Sequence, residues 1–168
     1  LETENNVEII APAEVKYYGL AFSQDNENVY FVRKPADASV LLTIYRIALL
    51  GGIITKLAEN TQGWISVSPD NQQIAFVRCS YQQNNYCSLW IVDSNGENEK
   101  ELTALAKPNS ITDVHWSPVG KKIAFANGNA DKGGQNYSIS EFDFATGQVK
   151  IIVDEKFYHI KSLKWLPD

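Results

Sequence analysis

The sequence predicts an all-β chain. It reads as a β-propeller fragment of about three four-stranded antiparallel blades, with one strand of a neighbouring blade at each end. Three observations predict this. A short motif recurs at a near-constant period. Each repeat holds four short runs of strand-forming residues. Turn residues separate those runs at matching places.

The motif is Leu20-Ala-Phe-Ser-Gln-Asp-Asn26, then Ile65-Ser-Val-Ser-Pro-Asp-Asn71, then Val114-His-Trp-Ser-Pro-Val-Gly120, with a fourth copy begun at Leu163-Lys-Trp-Leu-Pro-Asp168. The anchors Ser23, Ser68, Ser117 and Leu166 stand 45, 49 and 49 residues apart. A period of that size is one propeller blade.

The elements follow in order. After each motif comes a short apolar run: Val29-Tyr-Phe-Val32, Ile74-Ala-Phe-Val77 and Ile123-Ala-Phe-Ala126. A polar loop leads to a third run: Leu42-Thr-Ile-Tyr-Arg-Ile47, Ser88-Leu-Trp-Ile-Val92 and Tyr137-Ser-Ile-Ser-Glu-Phe142. Glycine turns at Gly51-Gly52, Asn95-Gly96 and Thr146-Gly147 precede a wetter fourth run. One partial propeller domain therefore covers residues 1–168. Its blades are residues 15–60, 61–107 and 108–156, and its flanking strands are 1–14 and 157–168. Middle strands of a blade are buried on both faces, which explains their unbroken apolar runs.

The turns have a backbone reason. Proline presets φ, and Asp or Asn bonds its own backbone and tolerates a left-handed conformation. Ser23, Asp25, Ser68, Pro69, Asp70, Ser117 and Pro118 are read as structural turn residues rather than catalytic or metal-binding ones.

Composition narrows the function. Fifteen Lys+Arg against twenty Asp+Glu give a net charge of −5. Phosphate attraction dominates nucleic-acid affinity, so an acidic chain without basic clusters is not expected to bind nucleic acid. The longest apolar stretch, Val40 to Ile54, is interrupted by Thr43, Arg46 and Gly51-Gly52 and is too short for a spanning helix. No signal peptide is read at the start. The expectation is a soluble piece whose parent carries any membrane anchor.

Cys79 and Cys87 close a seven-residue connection between the second and third strands of one blade. A cross-strand pair satisfies disulfide geometry, so a disulfide is expected, with free thiols as the alternative. A bond there fits an extracytoplasmic, periplasmic compartment. His115, beside Trp116, reads as a core or channel-lining residue. Asn127-Gly-Asn-Ala-Asp-Lys-Gly-Gly134 superficially resembles a calcium loop, but its glycine is at the seventh place and Ser138 stands where a bidentate Glu belongs. No catalytic residue, metal site or cofactor is predicted. The loops joining second and third strands share one face of a propeller. Tyr81, Tyr86 and Tyr137 on them are the candidate binding residues, because tyrosine is enriched in recognition surfaces.

Ile65-Ser-Val-Ser-Pro-Asp-Asn-Gln-Gln-Ile-Ala-Phe-Val77, with Ser88-Leu-Trp-Ile-Val-Asp-Ser-Asn-Gly96 and Glu101-Leu-Thr103, resembles the TolB-like, WD-repeat-like propeller repeat. Val7 to Phe22 and Tyr45-Arg-Ile-Ala-Leu-Leu-Gly-Gly52 are similar to propellers appended to bacterial serine/threonine kinases and to CadC-like winged-helix transcriptional regulators. Gln24, Val119, Asn26 and Asn71 depart from the usual turn residues of that repeat. The resemblance implies a larger ring of roughly six blades, of which this chain is a part. It implies a non-enzymatic binding or sensing module of a bacterial signalling or regulatory protein, with a protein or peptide partner. The alternatives are a TolB-type periplasmic envelope scaffold and the propeller of a peptidase whose catalytic domain is absent. A homodimer through open blade faces is a further expected partner arrangement.

Overall fold

The computed structural model describes residues 8–11, 13–35, 41–80, 86–131, 134–160 and 162–166. Among these residues twelve strands form three antiparallel sheets. The first holds β1 (Val15–Phe22), β2 (Asn28–Pro35), β3 (Thr43–Ala48) and β4 (Thr55–Glu59). The second holds β5 (Ile65–Val67), β6 (Gln73–Ser80), β7 (Tyr86–Asp93) and β8 (Lys100–Ala106). The third holds β9 (Asn109–Trp116), β10 (Lys122–Asp131), β11 (Gly134–Asp143) and β12 (Gln148–Phe157). Strand order within each sheet follows the chain, as expected for a four-stranded meander.

The unbroken apolar runs are buried on both faces. Tyr30 and Val32 of β2 meet Ile74 and Phe76 of β6 in one core, while Val29 and Phe31 turn to the other side with Ile9, Ile10 and Ile47. Ala75, Val77 and Cys79 of β6 face Ile111, Trp116, Ile123 and Phe125 of the third sheet. Successive residues of one strand thus feed two different cores, as the two-residue period of a strand dictates. Each fully buried Val, Ile or Phe side chain contributes about 1.5–3 kcal/mol.

The first strands of neighbouring sheets lie against one another. A Cβ on Gly19 would lie 2.2 Å from the carbonyl oxygen of Gly63, so the backbones of β1 and the lead-in to β5 touch directly. Further along, the Trp116 N–H donates to Ser66 Oγ at 2.9 Å.

Among the described residues, 8–11, 13 and 14 before β1 and 158–160 and 162–166 after β12 join no sheet. A lone strand of a neighbouring blade has no ladder partner within these residues. Residues 162–166 nevertheless sit beside β9. Trp165 Nε1 donates to the His115 carbonyl at 3.1 Å, and the Leu163 N–H donates to Asp113 Oδ2. One expectation changes: the described part of the calcium-like segment is strand rather than loop. Asn127 to Asp131 pairs residue by residue with Gly134 to Ser138 in the β10–β11 hairpin.

Candidate functional site

The turns after β1, β5 and β9 share one end of the three sheets. Each is built around its serine. Ser68 Oγ donates to Asp70 Oδ1 at 2.6 Å and accepts from the Gln73 N–H at 2.9 Å, and Asp70 Oδ1 also accepts from the Gln72 N–H at 3.0 Å. Ser23 and Asp25 repeat this arrangement with the N–H groups of Glu27 and Asn28. These bonds favour the ionised carboxylates, so both Asp25 and Asp70 sit below their ordinary pKa. In the third turn Val119 replaces the aspartate, and Ser117 Oγ keeps only its bond from the Lys122 N–H, at 3.1 Å. Asn71 links two turns: Asn71 Nδ2 donates to Asp25 Oδ2 at 2.9 Å, and Asn71 Oδ1 accepts from the Gln24 N–H at 2.7 Å.

Between the second and third turns this end of the molecule is concave. One depression of about 460 Å³ is walled by Pro69, Trp116, Pro118, His115, Lys164 and Trp165. A second of similar size shares Pro69, Trp116 and Pro118 and extends to Val119, Gly120 and Phe144. The shared residues make the two parts of one groove. Trp116 is its floor: the indole is buried, stacks on Phe144 with centroids 5.3 Å apart, and donates from Nε1 to the Gly120 carbonyl at 3.2 Å. Trp165 is half-buried, while Lys164 and Pro118 are exposed.

His115 lines the first depression, and Asp113 stands two residues before it on β9. Burial holds the His115 imidazole below its ordinary pKa, with Lys164 pushing the same way and Asp113 opposing. Burial pushes the Asp113 carboxyl up, against the bond from Leu163 and the nearby imidazole. Asp113 also takes a left-handed backbone conformation, φ 48°, next to a register shift between β9 and β10.

The other sequence-derived residues lie elsewhere. Cys79 and Cys87 pair directly across β6 and β7 and are joined, with Cα atoms 4.0 Å apart, facing the core between the second and third sheets. Tyr81 lies outside the described residues. Tyr86 opens β7 and is half-buried. Tyr137 differs from the expected exposed loop tip: it is 8% exposed, inside β11, with its ring over Gly128. A register that runs to the end of the hairpin draws the ring into the sheet. Sequence reasoning assigned Pro69 and Pro118 to turns alone and missed the groove. The signal available was the recurrence of tryptophan just before the repeat's anchor position, Trp116 before Ser117 and Trp165 before Leu166.

No protein-family model and no curated protein sequence matches the chain. Solved structures do. TolB from Acinetobacter baumannii shares 23% identity at a TM-score of 0.62, over 82% of this chain and 32% of that one. The β-propeller domain of the trilobed protease from Pyrococcus furiosus shares 22% at 0.58, over 84% and 43%. The fold is that of a β-propeller. Its three sheets are blades, and the Ser-Pro turns gather at one end of the propeller segment. An acylaminoacyl peptidase from Pyrococcus horikoshii shares the propeller fold as well, at 18% identity and a TM-score of 0.59, over 78% and 23%. The chain spans less than half the length of each of these three proteins.

Proposed function

We propose that the chain is a non-enzymatic binding module. In this reading it is a propeller segment of a larger bacterial signalling or regulatory protein and takes an extended peptide of a protein partner in the turn-face groove. The observation behind the reading is the convergence of Trp116, Trp165, Pro69 and Pro118 on one groove whose wall also carries Lys164 and His115. Aromatic and proline surfaces receive extended peptides well, because flat rigid rings lose little entropy on contact. A single exposed cation beside them suits a peptide bearing a carboxylate. The net charge of −5 supports a protein rather than a nucleic-acid partner. The Cys79–Cys87 bond supports an extracytoplasmic setting. Likeness to TolB and to peptidase propellers supports the fold and does not choose among their roles.

Displayed random peptides panned against the chain test the reading. Selected peptides should bind the wild type and lose at least about tenfold in affinity against Trp165→Ala, a loss of about 1.4 kcal/mol. Far-ultraviolet circular dichroism checks that the variant folds. Equal binding to both proteins, or no selection at all, overturns the proposal.

A further inference from the structure

Three walls of the turn-face groove, His115, Lys164 and Trp165, also line a neighbouring depression of about 140 Å³. Its other walls are Ala124, Ile139, Ile152 and Leu163, so it lies between the third sheet and residues 163–165. Those four side chains belong to none of the three cores. Ala124 is the direct cross-strand partner of His115. The corresponding place in the first blade, one residue into the apolar run, holds Tyr30, whose ring is buried in a core. A methyl group in place of a ring leaves room above the sheet.

Most polar groups around the depression have partners. Trp165 Nε1 donates to the His115 carbonyl at 3.1 Å, and the Leu163 N–H donates to the Asp113 carboxylate. Burial holds the His115 imidazole below its ordinary pKa, so it is neutral at neutral pH. Lys164 is exposed and makes no ion pair among the described residues. It lines both the groove and the depression and so stands at their junction. An apolar cavity of about 150 Å³ accepts a benzene-sized group. The depression therefore has room for one aliphatic side chain, with a cation beside it.

We infer that the groove ends in this depression and receives the C-terminus of a partner protein. The last side chain, a Leu, Ile or Val, packs among Ala124, Ile139, Ile152 and Leu163, and the terminal carboxylate pairs with Lys164. This rests on the peptide-groove reading and adds its specificity. A terminal residue carries its side chain and its carboxylate on one carbon, as a cation beside a small apolar depression requires. An internal Asp or Glu brings its carboxylate on a different residue from the aliphatic group.

Methyl and amide NMR spectra of the labelled chain test this, with N-acetyl-leucine as the probe. It should shift the Ile139 methyl and Trp165 indole N–H signals, and N-acetyl-glycine at the same concentration should not. N-acetyl-leucinamide and an N-acetyl-Leu-Asp amide, whose only carboxylate is on a side chain, should each bind about two- to fivefold more weakly, the worth of an exposed ion pair. Lys164→Gln should bring N-acetyl-leucine down to the affinity of its amide and leave the amide unchanged. Ile152→Phe, at an exposed strand position, narrows the depression and should abolish the Ile139 shift. No Ile139 shift in the wild type overturns the inference. So does equal binding of the acid and the amide, or tighter binding of the Leu-Asp amide. The probe does not need the longer groove, so the two readings fail separately. Selected peptides that bind through Trp165, with no response to N-acetyl-leucine, keep the groove and overturn recognition of a terminus.

Discussion

The guanidinium of Arg78 in the second blade donates two hydrogen bonds to the carbonyl oxygen of Glu59 in the first, at 2.8 and 3.0 Å. The same group pairs with Glu99 at 2.8 and 3.1 Å and stacks on Phe76 and Trp90. One side chain therefore ties its own blade together and fastens it to the preceding one. Arg78→Met keeps the apolar stem and loses every donor. It should lower stability by about 1–3 kcal/mol, since a hydrogen-bonded charged group is removed from an inter-blade contact. Arg78→Lys should recover less than half of the loss, because an ammonium cannot stack flat and bridge two acceptors at once. Urea unfolding midpoints measure both.

Gly19 permits a close approach between the first two blades. A methyl group at that position would stand 2.2 Å from the Gly63 carbonyl oxygen, and backbone has no rotamer with which to yield. Gly19→Ala should cost about 1–3 kcal/mol through overpacking. Thermal unfolding monitored by tryptophan fluorescence reports it, and an unchanged midpoint would refute the contact.

His115 titrates below its ordinary value because it is buried. A lowered folded pKa favours the neutral imidazole. The stability this gives is full above the ordinary histidine pKa and falls as pH drops from there through the lowered value. Lys164→Gln removes a cation and should raise the His115 pKa. Asp113→Asn removes the opposing anion and should lower it further. NMR titration of the imidazole carbon-bound protons reads both directions.

Asp70 carries the reverse chemistry of an exposed turn. Ser68 and the Gln72 N–H hold its carboxyl below the ordinary value. Its contribution is present above the unfolded carboxylate pKa and is lost as pH falls through the depressed folded one. Asp70→Asn should flatten the acid limb of the stability profile by lowering stability at neutral pH while changing little in acid. A wild-type acid limb retained in the variant would remove Asp70 from the account.

The blade pattern was legible because it is local. Ser68 to Asn71 makes its own turn from its own side chains, and Ile74 to Val77 shows by its unbroken apolar run that both faces are covered. The groove was not legible, because it depends on where blades meet. Trp116 becomes a floor only when Phe144 stacks beneath it and Pro69 arrives from the blade before. Tyr137 misled for a related reason. Its position near a loop implied exposure, whereas a hairpin paired through Asp131 and Gly134 draws the ring over Gly128.

The central claim is that partner recognition occurs at the turn face. Its most direct test is a nitrogen–proton correlation spectrum of the labelled chain, recorded with and without a selected peptide. The account predicts shifts of the Trp116 and Trp165 indole N–H signals and of the Val119 and Gly120 amides. Shifts confined to residues 134–138 and 154–156, at the opposite end of the blades, would contradict it.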